Sequence, residues 1–166
     1  YLFIVNQADD PNIKAGDIQK FFTHVLQRVD WRRDCHFHTE TTIDTLDYTG
    51  KGFNNGSKLV VAARGQPVRE LPTDIPGDIR LPPGFSKPSV GMPGVLVVTG
   101  PLIQPRPALE TPNEKAIWGT TGQQAQWTTD IERFTRLIHQ TDDIMKWPLI
   151  VVADDSVFSA ANLENF

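Results

Sequence analysis

Cysteine is nearly absent from this sequence of 166 residues: Cys35 stands alone. A single thiol excludes an intrachain disulfide and any zinc site built from several cysteines, and it fits a reducing cytosol. Positive charge is also short. Sixteen Lys and Arg face 20 Asp and Glu, a formal net charge of −4. That leaves no basic excess to neutralise phosphates, which argues against nucleic acid or an anionic membrane as partner. No apolar run approaches the roughly 20 residues of a membrane helix, so no membrane span is expected. There is no initiator Met, and the chain starts inside an apparent strand.

What is present describes a folded α/β protein. Hydrophobic residues make up 39 % and charged residues 22 %, the balance of a globular chain long enough for a real core. Leu2-Phe3-Ile4-Val5 is an apolar run ending in Asn6 and the acidic pair Asp9-Asp10, with Pro11 marking the break. From Ala15 to Val29 the apolar residues Ile18, Phe21, Phe22, Val25, Leu26 and Val29 recur at helical spacing, which predicts an amphipathic helix. Asp17 suits its positive end and Arg28 its negative end. Asp30-Trp31-Arg32-Arg33-Asp34 is a polar connector. Cys35-His36-Phe37-His38 and Ile43 to Tyr48 both alternate as half-buried strands do. Thr49 to Ser57, with three glycines, is a loop. Leu59 to Ala63 is a short unbroken apolar run, the pattern of a strand covered on both faces.

After Gly65 the composition changes. Eleven of the 13 prolines lie between Pro67 and Pro112, and each removes a backbone donor. Only Val95 to Val98 is expected as a strand there, between Pro93-Gly94 and Gly100-Pro101; residues 66–93 and 101–115 are expected as extended loop. Ala116 to Gly119 reads as a short strand. Thr129 with Glu132 forms a capping box for a helix carrying Ile131, Phe134, Leu137 and Ile138. A helical turn over Thr141 to Lys146 and a strand at Leu149 to Val152 follow, then Asp154-Asp155 and a helix start. Alternating strands and amphipathic helices predict a three-layer fold, a mixed sheet with helices on both faces.

The two ends resemble each other. Ala8 to Phe21 aligns without a gap to Ala153 to Phe166, and five of fourteen positions are identical. A duplicated unit is expected, truncated in its second copy. The chain is therefore expected to be a piece of a longer protein, cut at both ends. Its organisation is expected as residues 1–66, a first α/β unit; 67–115, a proline-rich segment; and 116–166, the start of the second copy, all in one compact domain.

Asp44-Thr45-Leu46-Asp47-Tyr48, a glycine-bearing spacer and Gly56-Ser57-Lys58-Leu59 resemble the Asp-x-Leu-Asp…Gly-Ser-Lys signature of the C-terminal domain of UbiD-like decarboxylases, the 3-octaprenyl-4-hydroxybenzoate carboxy-lyase type. Phe3 to Val5, Asp9-Asp10, the helix to Val29 and the Arg-Arg-Asp connector come in the family's order. The resemblance covers about residues 2–66, and Trp147 to Phe166 resemble the start of another unit, as in a long family member. It implies a parent that is a non-oxidative decarboxylase of an aromatic or α,β-unsaturated carboxylic acid. It implies prenylated FMN and a divalent metal in an upstream domain, with no catalytic or cofactor residue here. By the same resemblance this chain serves packing and oligomerisation, is inactive alone and lies in the cytoplasm. Its expected partners are the upstream flavin-binding domain and further copies of itself.

The residues themselves offer other chemistry. His36, His38 and Glu40 sit two apart, so a regular strand points all three to one side, a candidate metal trio and the basis of an alternative, metal-dependent hydrolase reading. Asp9-Asp10 and Asp154-Asp155 follow strands, where α/β folds place ligands; magnesium binding, acid/base work and plain helix capping are all open to them, capping first. Asp44 and Asp47 face opposite ways on a strand. Cys35 reads as a packed thiol. The glycine loop reads as structural, since no helix follows it to hold a phosphate. Trp118 and Trp127, flanking a polar loop, read as a contact surface, and with the proline belt they support a second alternative, a free-standing interaction module.

Overall fold

The computed structural model describes residues 1–42, 56–77, 79–101, 132, 134–136, 138 and 142–162. They belong to two compact units, Tyr1–Leu71 and Pro72–Phe166. Among the described residues each holds a mixed three-stranded sheet. The α/β class expected from the sequence therefore stands, with the strands divided between two sheets in place of one.

In the first unit β1 (Leu2–Val5) lies parallel to β3 (Gly56–Ala63), and β2 (Cys35–Thr41) runs antiparallel along the other side of β3. The helix α1 (Ile18–Arg28) falls within the predicted 15–29. Asp17 is its N-cap, accepting from the Lys20 N–H at 3.1 Å, so one donor that the first turn cannot satisfy internally finds an acceptor. The register explains the core. Phe3 and Val5 lie opposite Val61 and Ala63, with Cys35 opposite Val61. That face packs against Val25 of α1 and Val29, its C-cap, both fully buried. Residues of the opposite parity, Leu2, Ile4, Val60, Ala62 and His36, share the other face of the sheet. There Leu2 is 55 % and Ile4 46 % exposed.

Two expectations are corrected here. The strand Leu59–Ala63 begins earlier, at Gly56, so Gly56 and Ser57 belong to a ladder and not to the glycine loop. The pair Asp9-Asp10 caps no helix. Asp10 accepts from the Asn12 N–H at 2.9 Å in a local turn, and Asp9 accepts from the Gly65 N–H at 2.6 Å. The helix begins only at Ile18, and Asp17 does the capping. The strand expected at Ile43–Tyr48 lies outside the described residues.

The second sheet has the order β4-β5-β6, from β4 (Ser86–Met92), β5 (Val95–Thr99) and β6 (Leu149–Ala153). Pro93 and Gly94 close the β4–β5 hairpin, and Gly94 takes φ +80°, which its missing side chain permits. Central β5 is buried from Val95 to Val98. Leu96 and Val98 pack with Phe85, Phe134, Ile144 and Trp147, and the rings of Phe85 and Phe134 lie 4.4 Å apart. Ile144 comes from α2 (Asp142–Met145), a short helix within the turn expected over 141–146. Asp155 caps α3 (Ser156–Ala161), accepting from the Val157 and Phe158 N–H groups at 3.0 and 3.2 Å. Here the capping expectation for Asp154-Asp155 is met by the second residue of the pair.

The strand β4 overturns the expectation that residues 66–93 form only loop. It contains Pro88, which a central strand would reject. Its place at the sheet edge makes the proline tolerable, and the register shifts between Ser86 and Ser89, where Lys87 takes φ +47°. The segments 102–115 and 116–119, the capping-box Thr129, and Trp118 and Trp127 lie outside the described residues.

Candidate functional site

In the first unit the C-terminal ends of parallel β1 and β3 meet the N-terminal start of antiparallel β2. Among the described residues, those that leave or enter the sheet at this end are polar. Asn6 follows β1, Arg64 follows β3, and Arg33-Asp34 precede β2. These side chains border a cleft of about 560 Å³. Its floor is apolar, from Ile4, Val5, Ala62 and Ala63, and His36 stands on one wall.

The loops around the cleft are tied by long-range bonds. The Gly65 N–H donates to Asp9, and Arg28 Nε donates to the Gly65 carbonyl at 2.9 Å. Arg28 is itself buried and reaches back to the His24 carbonyl at 3.2 Å. Gly65 takes φ +87°, a turn that suits glycine. The Ala62 N–H donates to the Asp34 carbonyl at 3.0 Å, fixing the start of β2 beside β3.

Asp34 organises the cationic side. Its Oδ1 accepts from Arg33 Nε at 2.6 Å; its Oδ2 accepts from Arg33 Nη2 at 3.0 Å and from the Asp30 N–H at 2.9 Å. The Arg33 hydrogen bonds, a backbone donor and the nearby charges of Arg33 and Arg64 hold its carboxyl below the ordinary Asp range, against the opposing effect of burial. Arg33 is stabilised as a cation by the same pair. Two arginines thus face one carboxylate, and that carboxylate is already satisfied.

The histidine strand does not assemble as the sequence suggested. His36 lines the cleft and His38 pairs with Lys58, but the register slips between His38 and Thr41, and Glu40 takes φ +55°. The bulge breaks the period of two that placed His36, His38 and Glu40 on one side. Among the described residues no three His, Cys, Asp or Glu side chains come together as a metal would need. Cys35 is half-buried, and burial, with the Asp34 charge, pushes its thiol up and away from nucleophilic use. Asp44 and Asp47 lie outside the described residues.

Arg33, Arg64 and Asn6 at the cleft were not singled out by the sequence. Arg33 stood in view within a doubly charged connector; Arg64 and Asn6 gain meaning only through the parallel pairing of β1 with β3. His24 was missed too. It is 5 % exposed on α1, and its Nε2 has no hydrogen-bond partner among the described residues. Burial first, then the charge of Arg28, lowers its pKa, while Asp10 and Asp9 pull the other way.

A parallel β1–β3 pair, a capped crossover helix and an antiparallel third strand make the first unit a small α/β domain. Residues 1–63 match the family described as the 3-octaprenyl-4-hydroxybenzoate carboxy-lyase C-terminal domain. An uncharacterized protein of Chlamydia trachomatis serovar D is 29 % identical over 166 residues, all of this chain and 23 % of that protein. An uncharacterized protein of Chlamydia caviae is 33 % identical over 95 residues, 57 % of this chain and 16 % of its own length. A 4-hydroxybenzoate decarboxylase subunit of Chlamydia pneumoniae is 44 % identical over 48 residues, 29 % of this chain and 8 % of its own length. The chain thus spans less than a quarter of each of these relatives. No solved structure matches it. Among the described residues no helix is long and apolar enough to cross a membrane.

Proposed function

We propose that this chain is the C-terminal part of a UbiD-like decarboxylase, a non-oxidative carboxy-lyase acting on an aromatic or α,β-unsaturated carboxylic acid. The observation that carries the reading is where the family match stops. It ends at Ala63, the last residue of β3, so the matched segment takes in all three strands of the first sheet with its helix. A relative named as a decarboxylase subunit matches part of the chain, and another continues through all 166 residues.

In this reading prenylated FMN and its divalent metal sit in an upstream domain. The described residues do not themselves fit that metal, since no set of three ligands converges among them. The chain's part is to pack against the flavin domain and to join copies of the enzyme, in the reducing cytoplasm that its lone cysteine suits.

Produced by itself, the chain is expected to purify without flavin absorbance and to release no carbon dioxide from aromatic acids. The source gene, read outward from both ends, is expected to run upstream into a flavin-type domain bearing an Arg and a pair of Glu. A frame that closes at both ends without such a domain would overturn the reading.

A further inference from the structure

The cleft at the end of the first sheet combines features that point to a ligand. Its volume, about 560 Å³, is that of a small-molecule site, which typically spans roughly 300–1,000 Å³. It lies at the carboxyl ends of parallel strands, where open α/β sheets bind ligands. Its floor is apolar and its rim carries Arg33 and Arg64. The chain as a whole is acidic, with a formal net charge of −4, so a rim with more cation than anion stands out from its surroundings. Among the described residues that line it, the one carboxylate, Asp34, is taken up by two bonds from Arg33 and one from the Asp30 N–H. Two arginines and one aspartate leave one positive charge unmatched, which suits a monoanion better than a dianion.

The floor sets the rest of the ligand. Ile4 and Ala62 pair across the sheet, and Leu2 and Val60 continue the same face away from the arginines. Two residues of strand advance roughly 7 Å, the reach of about five or six carbons. Leu2 and Ile4 stay about half exposed along this strip.

We infer that this cleft binds an organic monocarboxylate, its head group on Arg64 and Arg33 and an apolar body of about six carbons on Ile4 and Ala62. The site goes beyond the decarboxylase reading, needs no flavin, and is tested on the chain by itself, so its failure leaves that reading untouched.

The test titrates the full 166-residue chain with hexanoate, acetate and hexylamine, following backbone amide shifts of Asn6, Ala62 and Arg64 by NMR. Hexanoate is expected to shift them saturably with a Kd on the order of millimolar, as befits so few atoms. Acetate is expected to bind more weakly and hexylamine not to bind at the site. Arg64 is exposed, so Arg64→Gln is expected to fold normally and to weaken hexanoate roughly tenfold. Ile4→Ser is expected to weaken hexanoate while leaving acetate unchanged. The inference is overturned if hexanoate gives no saturable shift, if acetate binds as tightly as hexanoate, or if Arg64→Gln leaves the hexanoate Kd unchanged.

Discussion

Replacing His24 by Leu should make the first unit more stable and less sensitive to acid. His24 is 5 % exposed and its Nε2 lacks a partner among the described residues. A buried polar atom left unsatisfied costs about 1–3 kcal/mol. Leu has a similar volume and a better helix propensity, so most of that cost is expected to be recovered, about 1 kcal/mol net. For a unit the size of Tyr1–Leu71 that raises Tm by about 4–8 °C. The pH dependence separates this cause from ordinary repacking. Burial, then Arg28, lowers the folded His24 pKa from 6.5, so below 6.5 the unfolded chain binds more protons than the folded one. The neutral-state stability is present above 6.5 and is lost as pH falls toward the folded value. For one proton the slope is at most about 1.4 kcal/mol per pH unit. Urea unfolding followed by far-UV circular dichroism, across about pH 5 to 8, should show this fall in the native chain and a flatter profile in His24→Leu. His24→Gln should flatten the profile without the gain at neutral pH. A His24→Leu profile parallel to the native one would refute the assignment of the acid sensitivity to this side chain.

Asp155→Ala removes the acceptor of two N–H groups at the start of α3; a loss of about 0.5–2 kcal/mol is expected by urea unfolding, with Asp155→Asn close to native. Gly100→Ala sets a methyl group against Val152 Cγ1 and 3.4 Å from Phe85 Cε1. The expected cost is about 1–3 kcal/mol, and the double variant with Val152→Ala should recover part of it, as measured by a double-mutant cycle.

The elements whose cause is local were legible in the sequence. The helix α1 announces itself through six apolar residues at its own period, and β1, β5 and β6 through short apolar runs that have no room to be helices. The family match of residues 1–63 was legible from Gly56-Ser57-Lys58 and its flanks. What was not legible depends on pairing across long separations. Asp9 looks like a cap because it follows a strand, yet its partner is the Gly65 N–H, 56 residues on. Arg64 and Asn6 are unremarkable until parallel pairing sets them at one end of a sheet. The histidine trio failed because alternation assumes an unbroken strand, and a bulge before Thr41 breaks it. Proline content argued against β4, since composition says how many donors are missing but not whether the strand has a neighbour on each side.

That proline strand has a bearing on edge-to-edge aggregation. An edge strand offers its unpaired backbone to any other strand that drifts past, and long flat edges invite fibres. At β4 the offer is poor. Pro88 brings no N–H, and the left-handed residue at Lys87 turns the neighbouring backbone out of line. A foreign strand would forfeit bonds at two consecutive positions while being forced to follow a bend. Edge-to-edge pairing through this margin of the second sheet is therefore discouraged at the level of the main chain.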